Sequence, residues 1–127
     1  MPRVILVVDD EPDLVANCER LLRRIGHASL RAHTGPDAMA MIDRERPDLV
    51  VADLRLPGAD GLAVTRHARR QAPPIPVILI TAYDSPQTRQ AATESGAEVY
   101  LAKPFSNATF LDAIERVLPP RSTDGGR

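Results

Sequence analysis

Apolar runs alternate with helical patterns along this chain from end to end. Val4-Ile5-Leu6-Val7-Val8 is a continuous aliphatic run, as expected of a strand buried on both faces. Pro12 stands where a first helical residue would. Leu14, Cys18, Leu21, Leu22 and Ile25 then recur at helical spacing until Gly26 stops the pattern. Ala28 to His33 reads as a weaker, more polar strand. Thr34 and Asp37 have the spacing of a capping box and open a helix carrying Ala38, Met41 and Ile42, which Pro47 ends. Leu49 to Ala52 is a third strand, followed by turn chemistry from Leu56 to Gly61. A third helix is predicted over Leu62 to Gln71, with Leu62, Thr65 and Ala68 inward. The proline-rich stretch Ala72 to Pro76 forbids helix, and Val77 to Ile80 is the fourth strand. Ser85-Pro86 opens a helix that Gly96 closes. Val99 to Leu101 is the fifth strand, and Ser106 caps a last helix bearing Phe110, Leu111, Ile114, Val117 and Leu118.

Five strands, each followed by a helix, predict an α/β domain: a parallel five-stranded sheet between two helical layers. The first, third and fourth strands are almost wholly Val, Ile and Leu and belong in the middle. The second and fifth carry Arg31, His33, Glu98 and Tyr100 and suit the edges. The doubly wound, flavodoxin-like order 2-1-3-4-5 puts them there. One domain over residues 1–120 is expected, with 121–127 as a flexible tail or truncated linker.

Ligands of an open parallel sheet bind beyond the carboxyl ends of its strands. Those ends hold Asp9-Asp10, Asp53, Thr81-Ala82 and Lys103-Pro104. With the first and third strands adjacent, three carboxylates converge, with a hydroxyl and an ammonium beside them. Two carboxylates ~6 Å apart repel by roughly 3 kcal/mol at an effective dielectric near 20, so such a cluster calls for cations. Lys103 supplies one charge. A hard divalent cation with oxygen ligands supplies two more. That set suits phosphoryl transfer to oxygen.

Composition sharpens this picture. The chain has 127 residues, 16 of them basic and 17 acidic, and Lys103 is the only lysine among 15 arginines. Where arginine serves for generic surface charge, one retained lysine asks for a reason. The near-neutral charge and absence of Trp give no sign of direct nucleic-acid binding. The first apolar run is too short for a signal peptide or membrane span, and the single cysteine, Cys18, permits no internal disulfide. A reducing, cytoplasmic setting is expected.

Five pieces occur in order at the strand ends: Val7-Val8-Asp9-Asp10-Glu11-Pro12, Asp53-Leu54-Arg55-Leu56-Pro57-Gly58, Asp60-Gly61, Ile80-Thr81-Ala82 and Tyr100-Leu101-Ala102-Lys103-Pro104-Phe105. On these the chain, from about Arg3 to Leu118, resembles the receiver domain of two-component response regulators, the CheY-like family. The resemblance implies that Asp53 accepts a phosphoryl group from a phosphohistidine on a partner kinase. It implies Mg2+ (or Mn2+) bound by the side chains of Asp10 and Asp53, by Asp9 through water, and by the backbone carbonyl of Arg55. Lys103 would pair with a phosphoryl oxygen. Thr81 would shift to bond another, with the Ala82 amide, and Tyr100 would swing inward as Thr81 moves. It also implies a cis Lys103-Pro104 bond. Ala59, Thr65 and Ala68 are smaller than the family's usual residues, which bears on how the third helix packs. Tyr83, two residues after Thr81, is expected to slow hydrolysis by crowding the attacking water.

The expected function is a phosphorylation-dependent switch, not a metabolic enzyme. It would capture its phosphoryl group, hydrolyse it slowly, and act through a downstream protein target or fused output domain. It would be a monomer or a weak phosphorylation-dependent dimer, with no membrane partner. Two alternatives use the same residues: an aspartyl-phosphate phosphatase, and a non-phosphorylated module of the same fold. The first wants Asp-x-Asp after the first strand, where the acids here are adjacent. The second leaves the full acid, threonine and lysine set without a purpose. Cys18 reads as a buried small hydrophobe, and His27, His33 and His67 show no ligand spacing.

Overall fold

The computed structural model describes residues 3–119; the expected tail, 121–127, lies outside the described residues. Five parallel strands, β1 (Val4–Val8), β2 (Ala28–Ala32), β3 (Leu49–Asp53), β4 (Val77–Thr81) and β5 (Val99–Ala102), form one sheet in the order β2-β1-β3-β4-β5. Five helices alternate with them: α1 (Pro12–Arg24), α2 (Gly35–Glu45), α3 (Gly61–Arg69), α4 (Pro86–Ser95) and α5 (Asn107–Val117).

Strand side chains alternate between two cores. Ile5, Val7, Leu49, Val51, Ile78 and Ile80 face α1 and α5. Leu6, Val8, Val50, Ala52, Val77 and Leu79 face the layer of α2, α3 and α4. Because β1, β3 and β4 are covered on both sides, their sequences carry no alternation. At the edges, β2 and β5 keep half-exposed positions, as their polar residues required.

The helix boundaries follow local chemistry. Thr34, Ser85 and Ser106 each accept a hydrogen bond from the backbone N–H three residues on, capping α2, α4 and α5. Pro12 opens α1 as expected, but Glu11 at its N-cap makes no side-chain cap. That helix ends at Arg24. Ile25, assigned to the inner face by spacing, therefore lies outside it, 39% exposed, and Val15 rather than Leu14 is buried. The third helix is Gly61–Arg69, not Leu62–Gln71, because Asp60 caps it by accepting from Ala63 N–H. Its inner face is Gly61, Val64, Thr65 and Ala68, with Leu62 only half-buried. The Thr65 hydroxyl is satisfied within the helix, donating to the Gly61 carbonyl at 2.7 Å.

Small residues around α3 have a steric counterpart. A Cβ on Gly61 would lie 2.3 Å from the Asp53 carbonyl oxygen, and one on Gly35 would lie 2.4 Å from that of Ala59. The starts of α2 and α3 are thus pressed against the loop that follows Asp53. The Lys103-Pro104 bond is cis, as expected, and so is Ala72-Pro73.

Candidate functional site: an acidic crevice with one lysine

The strand register aligns the chain segments that meet in the crevice. Asp53 pairs with Ile80, and Thr81 with Ala102, at the carboxyl ends of β3, β4 and β5. The ladder runs one step further: Leu54 N–H donates to the Ile80 carbonyl at 2.8 Å, and Lys103 N–H to that of Thr81 at 2.7 Å. Asp53, Thr81 and Lys103 are therefore placed by a continuous sheet and not by loops of their own choosing.

Asp9 directly follows β1 and is fully buried. It does not cap α1; its Oδ1 accepts from Glu11 N–H at 2.9 Å, ahead of the helix. Asp10 is exposed, and Asp53 is 8% exposed. One carboxylate oxygen from each of the three lies within 4.8 Å of the others. At an effective dielectric of 20, pairs at that separation repel by on the order of 3–4 kcal/mol.

Lys103 is the counter-charge. Its Nζ donates to Asp9 Oδ2 at 3.0 Å, to Asp53 Oδ2 at 2.9 Å and to Glu11 Oε1 at 2.7 Å. Only 11% of its side chain is exposed. Burial alone would lower its pKa, but the three carboxylates hold it above the ordinary lysine range. Burial pushes the Asp9 carboxyl up, against the pull of Glu11 N–H and Lys103. Four formal negative charges (Asp9, Asp10, Glu11, Asp53) face one positive charge, so the crevice still lacks cations. Hard oxygen donors, one of them exposed, in a site short of positive charge fit a divalent cation such as Mg2+.

Around the acids stand the other predicted residues. Thr81 is buried, its Oγ1 accepting from Tyr83 N–H at 2.9 Å, which leaves the hydroxyl proton free to serve another acceptor. Ala82 is exposed beside the crevice. Arg55 N–H donates to Asp53 Oδ1 at 3.1 Å, fixing the carboxylate plane. The Arg55 guanidinium stacks 3.9 Å from the centre of the Tyr83 ring, which is 58% exposed.

Tyr100 is half-buried on β5 and packs against the edge of the α2–α3–α4 core. Its hydroxyl donates to Asp84 Oδ1 at 3.0 Å, and Arg89 of α4 grips both oxygens of Asp84 at 2.8 and 2.9 Å. The Arg89 guanidinium also lies 5.1 Å from the Tyr100 ring centre. The Arg89 hydrogen bonds keep the Asp84 carboxyl below its usual range, so this knot is ionic at neutral pH.

Sequence reasoning had no part for Glu11, Asp84 or Arg89. Glu11 meets its lysine 92 positions away, and Asp84 meets Tyr100 across 16. No local pattern announces such pairs. Cys18, His33 and His67, expected to have no functional role, each have a structural setting. Cys18 is 1% exposed, and burial pushes its thiol up to about 12. His33 Nδ1 lies 3.1 Å from the Asp9 carbonyl, and His67 pairs with Asp43. Among the described residues no helix is long and apolar enough to cross a membrane.

A parallel sheet of this order with acids and lysine at its carboxyl edge defines a class of phosphoryl-transfer and signalling domains. Residues 5–115 match the family model of the response regulator receiver domain, and the chain belongs to that family. It is a family of receivers, not of turnover enzymes. The response regulator MprA of Mycobacterium sp. (strain KMS) is 37% identical over 126 residues, covering 99% of this chain and 55% of that protein. Protein PilH of Pseudomonas aeruginosa is 36% identical over 116 residues, covering 90% of this chain and 96% of PilH. The chain thus spans about half the length of MprA and nearly all of PilH. The chemotaxis response regulator CheY4 of Vibrio cholerae superposes with a TM-score of 0.85 at 27% identity, over 92% of this chain and 99% of CheY4.

Proposed function

We propose that Asp53 is the phospho-acceptor of this receiver, loaded from the phosphohistidine of a partner histidine kinase. The observation that carries the reading is the lysine bridge: Lys103 Nζ binds Asp53 and the buried Asp9 together at 2.9 and 3.0 Å, at the mouth of a crevice short of positive charge. An Asp53 oxygen attacks phosphorus as the P–N bond to the imidazole breaks. The electron pair leaves on the ring nitrogen, which takes a proton from solvent. Lys103 neutralises one phosphoryl oxygen, and the Thr81 hydroxyl and Ala82 amide serve another. The side chains of Asp10 and Asp53, Asp9 through water and the Arg55 carbonyl would hold Mg2+ or Mn2+, which would supply the charge that lets two anions meet.

Thr81 and Tyr100 convert that chemistry into a signal. When the Thr81 hydroxyl turns to the phosphoryl group, Tyr100 moves inward and the α4–β5–α5 face changes. Asp53 then loses its group slowly to water. Output is through a downstream protein or a fused domain, in the cytoplasm, from a monomer or a weak phosphorylation-dependent dimer, with residues 1–120 as the receiver unit. Intact mass after incubation with acetyl phosphate and Mg2+ tests this. One labile phosphoryl group, absent from Asp53→Asn, is expected. Sustained turnover would mean a phosphatase, and no adduct would mean an inert module.

A further inference from the structure

Glu11 is a partner of Lys103 to which no role falls in the reading above. We propose that it is a positioning residue. In the resting state it occupies the Lys103 N–H that an oxygen of the Asp53 phosphoryl group takes on loading. The inference rests on the reading of Asp53 as phospho-acceptor.

The argument begins from donor counting. An ammonium has three N–H donors. Lys103 uses one each on Asp9, Asp53 and Glu11, at 3.0, 2.9 and 2.7 Å. An arriving oxygen must displace one of them. Asp9 is fully buried, and losing its cation would strand a charge beyond the reach of water. Asp53 can take the new group on Oδ1 and keep Oδ2 as a carbonyl acceptor for Lys103, so that bond need not break. The Glu11 side chain is 61% exposed, and water takes over its hydration once it is released.

Space allows the release. Glu11 borders a cleft of about 510 Å³ that it shares with Asp13, Asn17, Cys18, Ala82 and Phe105. The freed carboxylate can turn into it. Glu11 therefore has two linked effects. It holds the flexible lysine stem at the crevice mouth, and it competes with the phosphoryl oxygen for the same proton.

The lone lysine makes this measurable. Lysine-specific 15N labelling yields one Nζ resonance, that of Lys103. The Nζ shift and the affinity for beryllium fluoride with Mg2+ are recorded for the wild type, Glu11→Gln, Glu11→Ala and Asp13→Asn. Asp13 borders the same cleft with the same charge but is not among the partners of Lys103. Both Glu11 variants should move the Nζ resonance in the resting protein and leave it at the wild-type position in the loaded one. They should bind beryllium fluoride about three- to fivefold tighter, and Asp13→Asn should not. Thermal melts check that the variants fold. The proposal is overturned by unchanged affinity, by equal tightening in Asp13→Asn, or by an Nζ shift that still depends on residue 11 after loading. If the wild type binds no beryllium fluoride and gains no phosphoryl group, the acceptor reading falls and this one with it. If the wild type loads normally and Glu11→Gln behaves identically, only the role of Glu11 falls.

Discussion

Replacing Lys103 by Met keeps the length and apolar stem of the side chain and removes only its charge. The structure sets the size of the effect. Lys103 Nζ lies 3.0 Å from Asp9 and 2.9 Å from Asp53. Each pair attracts by on the order of 5–6 kcal/mol at an effective dielectric of 20, most of it offset in the wild type by desolvation. Removing one member of such a buried pair leaves the desolvation of Asp9 opposed only by the Glu11 N–H and costs about 3–5 kcal/mol. The contact with the exposed Glu11 adds almost nothing. A domain of this size is stable by roughly 5–15 kcal/mol, so the variant should fold with a much lower urea midpoint. The loss should also depend on pH. Burial already raises the Asp9 carboxyl, and without Lys103 it rises further. A carboxyl raised in the fold contributes stability below its unfolded pKa and loses it as pH climbs through the folded one. The gap between variant and wild type should therefore narrow at about pH 5 and widen towards about pH 7.5, and Mg2+ should narrow it again. Urea titrations at both pH values decide the matter. A loss below about 1 kcal/mol, equal at the two pH values, would refute the view of Lys103 as the counter-charge of Asp9.

Lys103→Arg should stay within about 1 kcal/mol of wild-type stability yet lose much of the phosphorylation response, because a planar fork cannot replace a compact charge on a flexible stem. Chemical-shift mapping of β4, α4 and β5 with beryllium fluoride reads this, and a full response returns the single lysine to coincidence. Tyr83→Ala should shorten the phosphoaspartate lifetime several-fold if the ring on which Arg55 stacks crowds the water that attacks a phosphoryl group on Asp53. An unchanged half-life by intact mass rejects that crowding. Gly61→Ala should cost about 2 kcal/mol or more, because the new Cβ would meet backbone atoms of Asp53 and Leu54 at 2.3 and 2.8 Å. A wild-type urea midpoint would show that α3 is free to shift.

The sheet order was legible because burial leaves a compositional mark. The aliphatic β1, β3 and β4 lie inside, and the polar β2 and β5 lie at the edges. The acids, Thr81 and Lys103 were legible because topology alone sends strand ends to one rim. Helix details were less so. Ile25 matched the period of α1 but falls past its end, and Asp60-Gly61 looked like turn chemistry when Asp60 is the cap of α3. Periodicity cannot see where a cap overrides it. Glu11, Asp84 and Arg89 were invisible for another reason. Glu11 and Tyr100 find their partners in distant segments, the Asp84–Arg89 pair fits no regular helix spacing, and exposed charges carry no hydrophobic pattern.

Apart from Thr81, whose hydroxyl turns on the inner strand β4, the residues read as fixed and as mobile are sorted by strand. Asp9 follows β1 and Asp53 ends β3, each strand held between two neighbours, whereas Tyr100 belongs to β5, with one neighbour only. An inner strand cannot shift without breaking two ladders, while a border strand can flex at the expense of one. Substitutions along β5 and α4 can retune how readily the domain responds while leaving the position of Asp53 untouched. Sensitivity and chemistry can therefore evolve on separate parts of one small sheet.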